Sequence, residues 1–432
     1  MAIGISHFYW RSNLIAIAAA SFAVCVAIDL FYFGNSTMSA DEDRFLRSAS
    51  QLLAQGQFRV GNDVAWEMPG TAIFFAAVTS LLPMSALTAI RIANAALVSL
   101  QSILLGLLAA RVFQDRLAGL FAAAIGGFYP YILFTQGMAL SETPFIFLLI
   151  ASFLALYVWR DRGAFVDWTM ALAVAVLTAA TFTKATLTIL PPILVAAAAI
   201  GKRRWSDGLR VFIAAAALYT VLMSPWWVRN YSLLGEFVPF TTSASQNLYI
   251  GNSPNNPQVG TYFPYLPQNW AVDQGVSLDT IPGELDRSKA LRDRALAYIE
   301  RDPADFFRRA IIKLRVFWNI MPNAPGFQKP LYKVMGAASF GPVLALAIIC
   351  LIQRRRQFFD LLPFYITIGY FTVLYTVTIP SIRYRLPIEP LLIVLSAGPL
   401  ALFVRRGAIV EISRWQNGPP SVGGGQRGDR QT

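Results

Sequence analysis

The sequence predicts an all-α polytopic membrane protein, with about ten transmembrane helices and further helices lying at the external surface. Three observations predict it. The 432 residues are 56% hydrophobic and 14% charged, where a soluble domain is about half apolar and about a quarter charged. Ten apolar runs, at 13–33, 86–110, 117–136, 143–159, 168–183, 186–200, 209–224, 336–352, 359–379 and 387–404, reach or approach the roughly 20 residues that cross a bilayer as a helix. Basic clusters at Lys202–Arg204, Arg354–Arg356 and Arg405–Arg406 stand beside such runs, as the positive-inside rule requires. That rule also accounts for the net charge of +12 without a nucleic-acid partner.

The first run, 13–33, reads as an anchor. It is longer than a signal-peptide core, carries Asp29, and has no A-x-A site between it and Asp41. Placing the basic clusters in the cytoplasm orders the rest. Loop 34–68 lies outside and opens with Asp41-Glu42-Asp43. Apolar residues recur at helical spacing from Phe45 to Leu53, which predicts an amphipathic helix on the membrane surface. The run 69–83, entered through Pro69-Gly70 and left at Pro83, begins and ends outside and so reads as a re-entrant or interfacial helix. The run 86–110 leads inward to Arg111–Arg116, 117–136 leads out to Glu142, and 143–159 returns to Arg160–Arg162. The hairpin 168–200 has its tip outside near Lys184, and 209–224 exits at Pro225.

Loop 225–335 is the one sizeable hydrophilic stretch. Its second half reads as two helices, the second opened by Asp302 as cap and Pro303 at the first helical position. Phe306, Phe307, Ala310, Ile311, Leu314, Phe317 and Trp318 then form an apolar face, with Arg308, Arg309, Lys313 and Arg315 elsewhere. This helix either faces anionic lipid or packs on protein. Spans 336–352, 359–379 and 387–404 complete a membrane domain of residues 1–408. Residues 409–432 read as a disordered cytoplasmic tail, rich in Gly and Pro from Trp415 on.

Several chemistries are excluded. Cys25 and Cys350 lie inside apolar runs and form no metal or disulfide pattern. The sole histidine, His7, is near the N-terminus, so a His-based triad or His metal cluster has no residues to use elsewhere. There is no P-loop and no GxGxxG after a strand, which disfavours a nucleotide donor. No half-chain repeat is visible, which weighs against a transporter built from inverted repeats.

In this topology Asp41, Glu42, Glu67, Glu142, Lys184, Arg229, Arg383 and Arg385 all fall at the outer face. Plain alternatives exist. Glu142 in Ser141-Glu142-Thr143-Pro144 could be a simple helix start, Glu67 a loop residue, and Arg383 and Arg385 snorkelling anchors. Asp43, Arg44 and Arg47 read as solvated, without a role. Arg91 and Asp29, inside spans, stay unassigned. Ionisable groups at lipid level need a partner and mark function more often than decoration. A carboxylate base or metal ligand facing Arg and Lys that clamp a phosphate suits transfer from a phosphorylated lipid carrier. A head-group anchor without catalysis uses the same residues.

The chain resembles the GT-C glycosyltransferases that use polyprenyl-phosphate sugars, above all the glycosyltransferase family 39 protein mannosyltransferases and the lipid A aminoarabinose transferase. The resemblance runs almost end to end, through ADEDRFLRSASQLLAQGQF, EMPGTAIF, LSETPFIFLLIASFLALY, TFTKATLTILPPIL, SPWWVRNYSLLGEFVP, NLYIGNSP, ERDPADFFRRAIIKLRVFW and IRYRLPIEPLL, in order. It implies that Asp41 is the catalytic base, Glu42 a supporting acid and Glu142 the acid of the next outer loop. The family's frequent Glu-Lys-Pro-Pro is Glu67-Met68-Pro69-Gly70 here, so the lysine that meets carrier phosphate is missing, and Lys184, Arg229 and Arg385 stand as candidates, with Glu67 and Arg383 beside them. A histidine that helps hold metal in some relatives is absent, so no cofactor is certain and a divalent ion stays open.

The expectation is an inverting glycosyltransferase of the inner membrane. It takes a sugar from a polyprenyl-phosphate donor and passes it to a lipid, glycan or protein hydroxyl on the periplasmic side. A flippase or transporter of lipid-linked sugars, a polysaccharide ligase and a non-catalytic scaffold are the alternatives.

Overall fold

A computed structural model describes residues 7–163, 165–201, 205–256, 266–322 and 325–417. The cluster Lys202–Arg204 and residues 418–432 of the expected tail lie outside the described residues. The helices follow in chain order: α1 His7–Ile28, continued by a π-helical turn Asp29–Phe33; α2 Ala40–Gln55; α3 Gly70–Leu81; α4 Ala86–Phe113; α5 Arg116–Gly127; α6 Pro130–Gln136; α7 Glu142–Arg162; α8 Trp168–Thr183; α9 Leu190–Ile200; α10 Trp205–Leu234; α11 Ala244–Asn252; α12 Glu284–Arg301; α13 Pro303–Phe317; α14 Pro330–Gln353; α15 Leu362–Val377; α16 Ile382–Arg385; and α17 Glu389–Asn417. A two-residue antiparallel hairpin, Val272–Asp273 with Val276–Ser277, precedes α12.

Among the described residues, six helices are long and apolar enough to cross a membrane, seven if the bent pair α5–α6 is one span. The protein is therefore a multi-pass membrane protein. Three of the ten expected spans are not among these. Helices α8 and α9 have 16 and 11 residues, about 24 and 17 Å at 1.5 Å per residue, against a hydrocarbon core of about 30 Å. Helix α17 carries Glu389, Arg405 and Arg406 with its apolar run. The run 117–136 bends by 49° where Pro130 opens α6. The run 69–83 is the 12-residue α3, short for a span.

Three sequence readings are corrected. Helix α10 continues past Pro225 to Leu234. The proline removes the amide that would bond the carbonyl of Val221, and the Ser224 hydroxyl takes that carbonyl at 2.8 Å instead. Helix α17 runs on to Asn417, so residues 409–417, read as tail, are helical. The apolar face of α2 packs on protein rather than lying on lipid: Phe45 and Ala49 are buried among Phe75 and Ala76 of α3 and Ile90 of α4.

The main core lies between α4, α5, α7, α8, α9, α15 and α17. The segments 56–69 and 235–284 lock onto each other beside it. Glu284 of α12 accepts the backbone amides of Val64 at 2.6 Å and Ala65 at 3.0 Å, and the Thr242 hydroxyl at 2.6 Å. Inside α4, Arg91 donates to the carbonyls of Gly137 (2.7 Å), Gly34 and Ser36 (2.9 Å). Asp29 accepts from Gln136 at 3.1 Å. The two unassigned charges thus tie the end of α1 to α4 and α6.

Candidate active site

Helix α2 begins at Ser39, whose extended backbone frees its hydroxyl to cap the Glu42 amide at 3.4 Å. Successive residues on a helix point about 100° apart, so the acidic triplet separates. Glu42 is fully buried. It accepts the amides of Met38 at 2.8 Å and Ala139 at 3.0 Å, which pins the start of α2 to the segment before α7. Asp43 accepts from Thr37 at 2.8 Å. Asp41 points the other way, into a row of charges.

In that row the signs alternate. Glu67 Oε1 lies 2.6 Å from Arg44 Nη2, and Arg44 Nη1 lies 2.7 Å from Asp41 Oδ1. Asp41 Oδ2 lies 2.5 Å from Arg383 Nη1. Arg383 Nε and Nη2 reach Glu142 Oε1 and Oε2 at 2.6 and 3.3 Å, and Lys184 Nζ reaches Glu142 Oε1 at 2.7 Å. Three carboxylates meet three cations. Side-chain exposure runs from 0% at Glu142 and 14% at Lys184 to about 30% at Arg44, Asp41 and Arg383. The row is therefore closed at its Glu142–Lys184 end and most open at its middle, where Arg44, Asp41 and Arg383 lie.

Local chemistry sets each member. Glu142 is the first residue of α7, where the helix dipole favours an anion; the helix start read from the sequence is there, without a side-chain cap from Ser141, and Glu142 meets Arg383 and Lys184 besides. Lys184 follows α8 in extended backbone. After the short turn Ala185–Leu187, Thr188 takes a φ of 30°, a costly conformation for a β-branched residue. It is held there by the Tyr219 hydroxyl on its carbonyl at 2.6 Å and the Tyr370 hydroxyl on its side chain at 2.8 Å. The start of α3 packs directly on this turn. Thr71 donates to the Thr183 carbonyl at 3.2 Å, and a Cβ on Gly70 would lie 2.6 Å from the Phe182 carbonyl, so only glycine fits. On α16, Ser381 caps the Arg383 amide at 3.2 Å. Tyr384 stacks on Tyr375 at 4.8 Å, with Lys184 Nζ 5.6 Å from its ring centre.

Burial works to raise the Asp41 carboxyl, but the Arg383 and Arg44 guanidiniums outweigh it and hold Asp41 below the ordinary carboxylate range. Burial dominates at Glu67 and raises it despite Arg44. Burial also lowers the Lys184 ammonium against the pull of Glu142, while Glu142 and Asp41 hold Arg383 well above its usual value despite burial. A divalent ion does not fit this arrangement. Both oxygens of Asp41 and of Glu142 already face cations, and no group of three His, Cys, Asp or Glu able to hold a metal exists among the described residues.

The structure thus brings together Asp41, Glu67, Glu142, Lys184 and Arg383, and leaves out Glu42, Arg229 and Arg385. Arg229 donates to the carbonyls of Val64 at 2.8 Å and Phe58 at 2.6 Å and lies over the Trp226 ring, so it braces the segment between α2 and α3. Arg385 is fully buried. It pairs with Glu389 at 2.6 Å and donates to the carbonyls of Phe317 and Asn319 at 2.9 and 2.6 Å. Neither points at the row, because neighbouring carbonyls take their donors. Arg44, read as solvated, is instead its link between Asp41 and Glu67. Its position one turn after Asp41 on a helix was the available signal.

No family model matches the sequence, and no curated protein matches it. Among solved structures, the chain is similar to the apo oligosaccharyltransferase of Archaeoglobus fulgidus, with a TM-score of 0.60 and 11% identity over 96% of this chain and 53% of that one. It is also similar to the oligosaccharyltransferase AglB of that organism in complex with an inhibitory peptide and a dolichol-phosphate, at 0.56 and 11% over 97% and 53%. ArnT from Cupriavidus metallidurans bound to undecaprenyl phosphate superposes more loosely, at 0.45 and 16% over 96% and 82%. The chain spans about half the length of the oligosaccharyltransferase chains it matches. The likeness lies in the path of the backbone, and it agrees with the resemblance carried by the motifs: this chain has the fold of the GT-C glycosyltransferases.

Proposed function

We propose that the protein is an inverting glycosyltransferase that takes a sugar from a polyprenyl-phosphate donor at the outer face of the membrane and passes it to an acceptor hydroxyl. The observation that carries this reading is the row of charges. It sets one partly exposed carboxylate, Asp41, against Arg383, whose guanidinium also meets the Glu142 that Lys184 pairs with, from distant parts of the chain. The dolichol-phosphate held by a structure of the same fold supports a lipid-linked donor.

In the reaction an Asp41 oxygen takes the proton of the acceptor hydroxyl as that oxygen bonds the anomeric carbon. The bond from that carbon to the phosphate oxygen breaks through an oxocarbenium-like transition state, as in glycoside chemistry. The electron pair leaves with the polyprenyl phosphate, and Arg383 and Lys184 meet the developing charge. A carboxylate held between two guanidiniums is a poor base. Donor binding supplies the remedy in this reading: the phosphate competes for Arg383, and Asp41 regains basicity as that guanidinium turns to the phosphate.

The test is transfer from radiolabelled polyprenyl-phosphate hexoses and pentoses by purified protein in detergent. Label moving from the lipid to an acceptor supports the reading. Label that crosses the bilayer of reconstituted vesicles without changing its covalent linkage would replace it with a flippase.

A further inference from the structure

Helix α13 buries two of its four cations. Arg309 and Lys313, one turn apart, face inward, while Phe307, Ile311 and Leu314 are exposed. Arg309 pairs with Asp305 and donates to the carbonyls of Ser253 at 3.3 Å and Asn256 at 3.0 Å, just beyond α11. Lys313 has no exposed surface. Its Nζ lies 3.1 Å from Asn252 Oδ1 and 3.0 Å from the carbonyl of Val377. Val377 ends α15, so its carbonyl is one of the unpaired acceptors at the negative end of that helix. Asn252 Nδ2 donates to the same carbonyl at 3.0 Å. Gly251 packs on the next carbonyl, that of Thr378, where an added Cβ would lie at 2.1 Å. The following residues lead through the Ser381 cap to Arg383. Helices α11 and α13 therefore grip the strand of chain that presents Arg383 to Asp41 and Glu142.

We propose that Lys313 is a positioning residue: through the end of α15 it holds the turn that carries Arg383, and its protonation sets how firmly that turn is held. Burial, with Arg309 adding to it, pushes the Lys313 amine down to about 7. The neutral amine can still donate to Asn252 and Val377, and because burial disfavours the ammonium in the closed site, the turn is held more firmly when Lys313 is neutral. The groups around it do not cancel this switch. On its own helix Arg309 is tied to Asp305, and the Phe306 ring lies 5.9 Å away. Helix α11 brings the neutral Asn252, the end of α15 brings a carbonyl, and on α16 Arg385 is neutralised by Glu389. Among the described residues, no carboxylate lies within ion-pair distance of Lys313.

The consequence for donor binding rests on the proposed transfer reaction; the grip on the turn does not. The experiment is hydrogen–deuterium exchange of peptides covering 378–386 in the full-length protein, at pH 6 and pH 8.5, corrected for the intrinsic rate. It is run on the wild type, Lys313→Gln and Lys313→Arg, beside binding of polyprenyl-phosphate-glucose. Wild-type protection should rise at least roughly tenfold from pH 6 to pH 8.5, because the closed turn binds the Lys313 proton less well than the opened, solvated one. Lys313→Gln keeps a neutral donor without a titration and should show no step between the two pH values. Lys313→Arg stays charged and should be weakly protected at both. A wild-type step that persists in Lys313→Gln, or no step at all, overturns the proposal. A step lost in Lys313→Gln, with no donor bound by any form, upholds Lys313 and removes the transfer reading.

Discussion

Arg383 and Asp41 stand 342 positions apart in the chain and meet with 2.5 Å between Nη1 and Oδ2. This contact decides two properties at once: the basicity of Asp41 and the freedom of Arg383 to meet another anion. Losing one partner of a buried, hydrogen-bonded charge pair costs about 2–5 kcal/mol, and Arg383 is 31% exposed, so the lower end applies. Arg383→Gln should weaken donor binding by about thirtyfold, a figure on the order of 2 kcal/mol. Equilibrium binding of a polyprenyl-phosphate sugar in detergent reads it. Affinity unchanged within threefold would take Arg383 out of the phosphate clamp.

Arg385, two residues on, should behave differently. It and Glu389 are both fully buried, so Arg385→Met leaves an unpaired carboxylate inside the protein. The expected loss is about 3–5 kcal/mol of stability, seen as a large drop in thermal midpoint. The double variant Arg385→Met/Glu389→Leu should recover most of it. A single variant as stable as wild type would contradict the buried pair.

Gly70→Ala tests the packing behind Lys184. The new Cβ would lie 2.6 Å from backbone atoms of Phe182, which cannot rotate away as a side chain would. Overpacking of this kind costs about 1–3 kcal/mol. The variant should lose thermal stability and donor affinity together, and normal values for both would show that α3 does not press on the Lys184 turn.

The bilayer class and the Asp302–Pro303 start of α13 were legible in the sequence, because each depends on local pattern. Asp302 indeed accepts the Asp305 amide at 2.9 Å. The inward turn of Lys313 was not legible. Helical spacing sets its basic residues apart from an apolar stripe, yet Phe307, Ile311 and Leu314 of that stripe face out, because Asn252 and the carbonyls of Ser253, Asn256 and Val377, from other elements, supply acceptors for Arg309 and Lys313. Arg229 and Arg385 failed as clamp candidates for the same reason: carbonyls far away in sequence claim their donors. Pro225 misled the end of α10 because a serine one residue earlier satisfies the carbonyl it orphans.

The pH dependence of the site follows from Asp41. Its folded value lies below its unfolded one, with Arg383 and Arg44 as the cause of the lowering. The stability it contributes is therefore fully present above the unfolded value, about 3.9, and is lost as pH falls through the lower folded value. The thermal midpoint of wild type relative to Asp41→Asn should stay constant from pH 7 down to about pH 5 and shrink only below about pH 4. A difference that disappears between pH 7 and pH 5 would show that the ion pairs of Asp41 are not formed.

The most direct test of the account is sugar transfer by Asp41→Asn, measured with labelled polyprenyl-phosphate sugar and purified protein. The amide keeps the size of the side chain and loses the base. Removing a positioned general base costs about 10²–10⁴ in rate, so turnover should drop by at least that lower factor while the donor still binds. Asp43→Asn, whose carboxylate meets Thr37 rather than the row, should transfer at nearly the wild-type rate. Transfer by folded Asp41→Asn within a few-fold of wild type would contradict the assignment of Asp41 as the base.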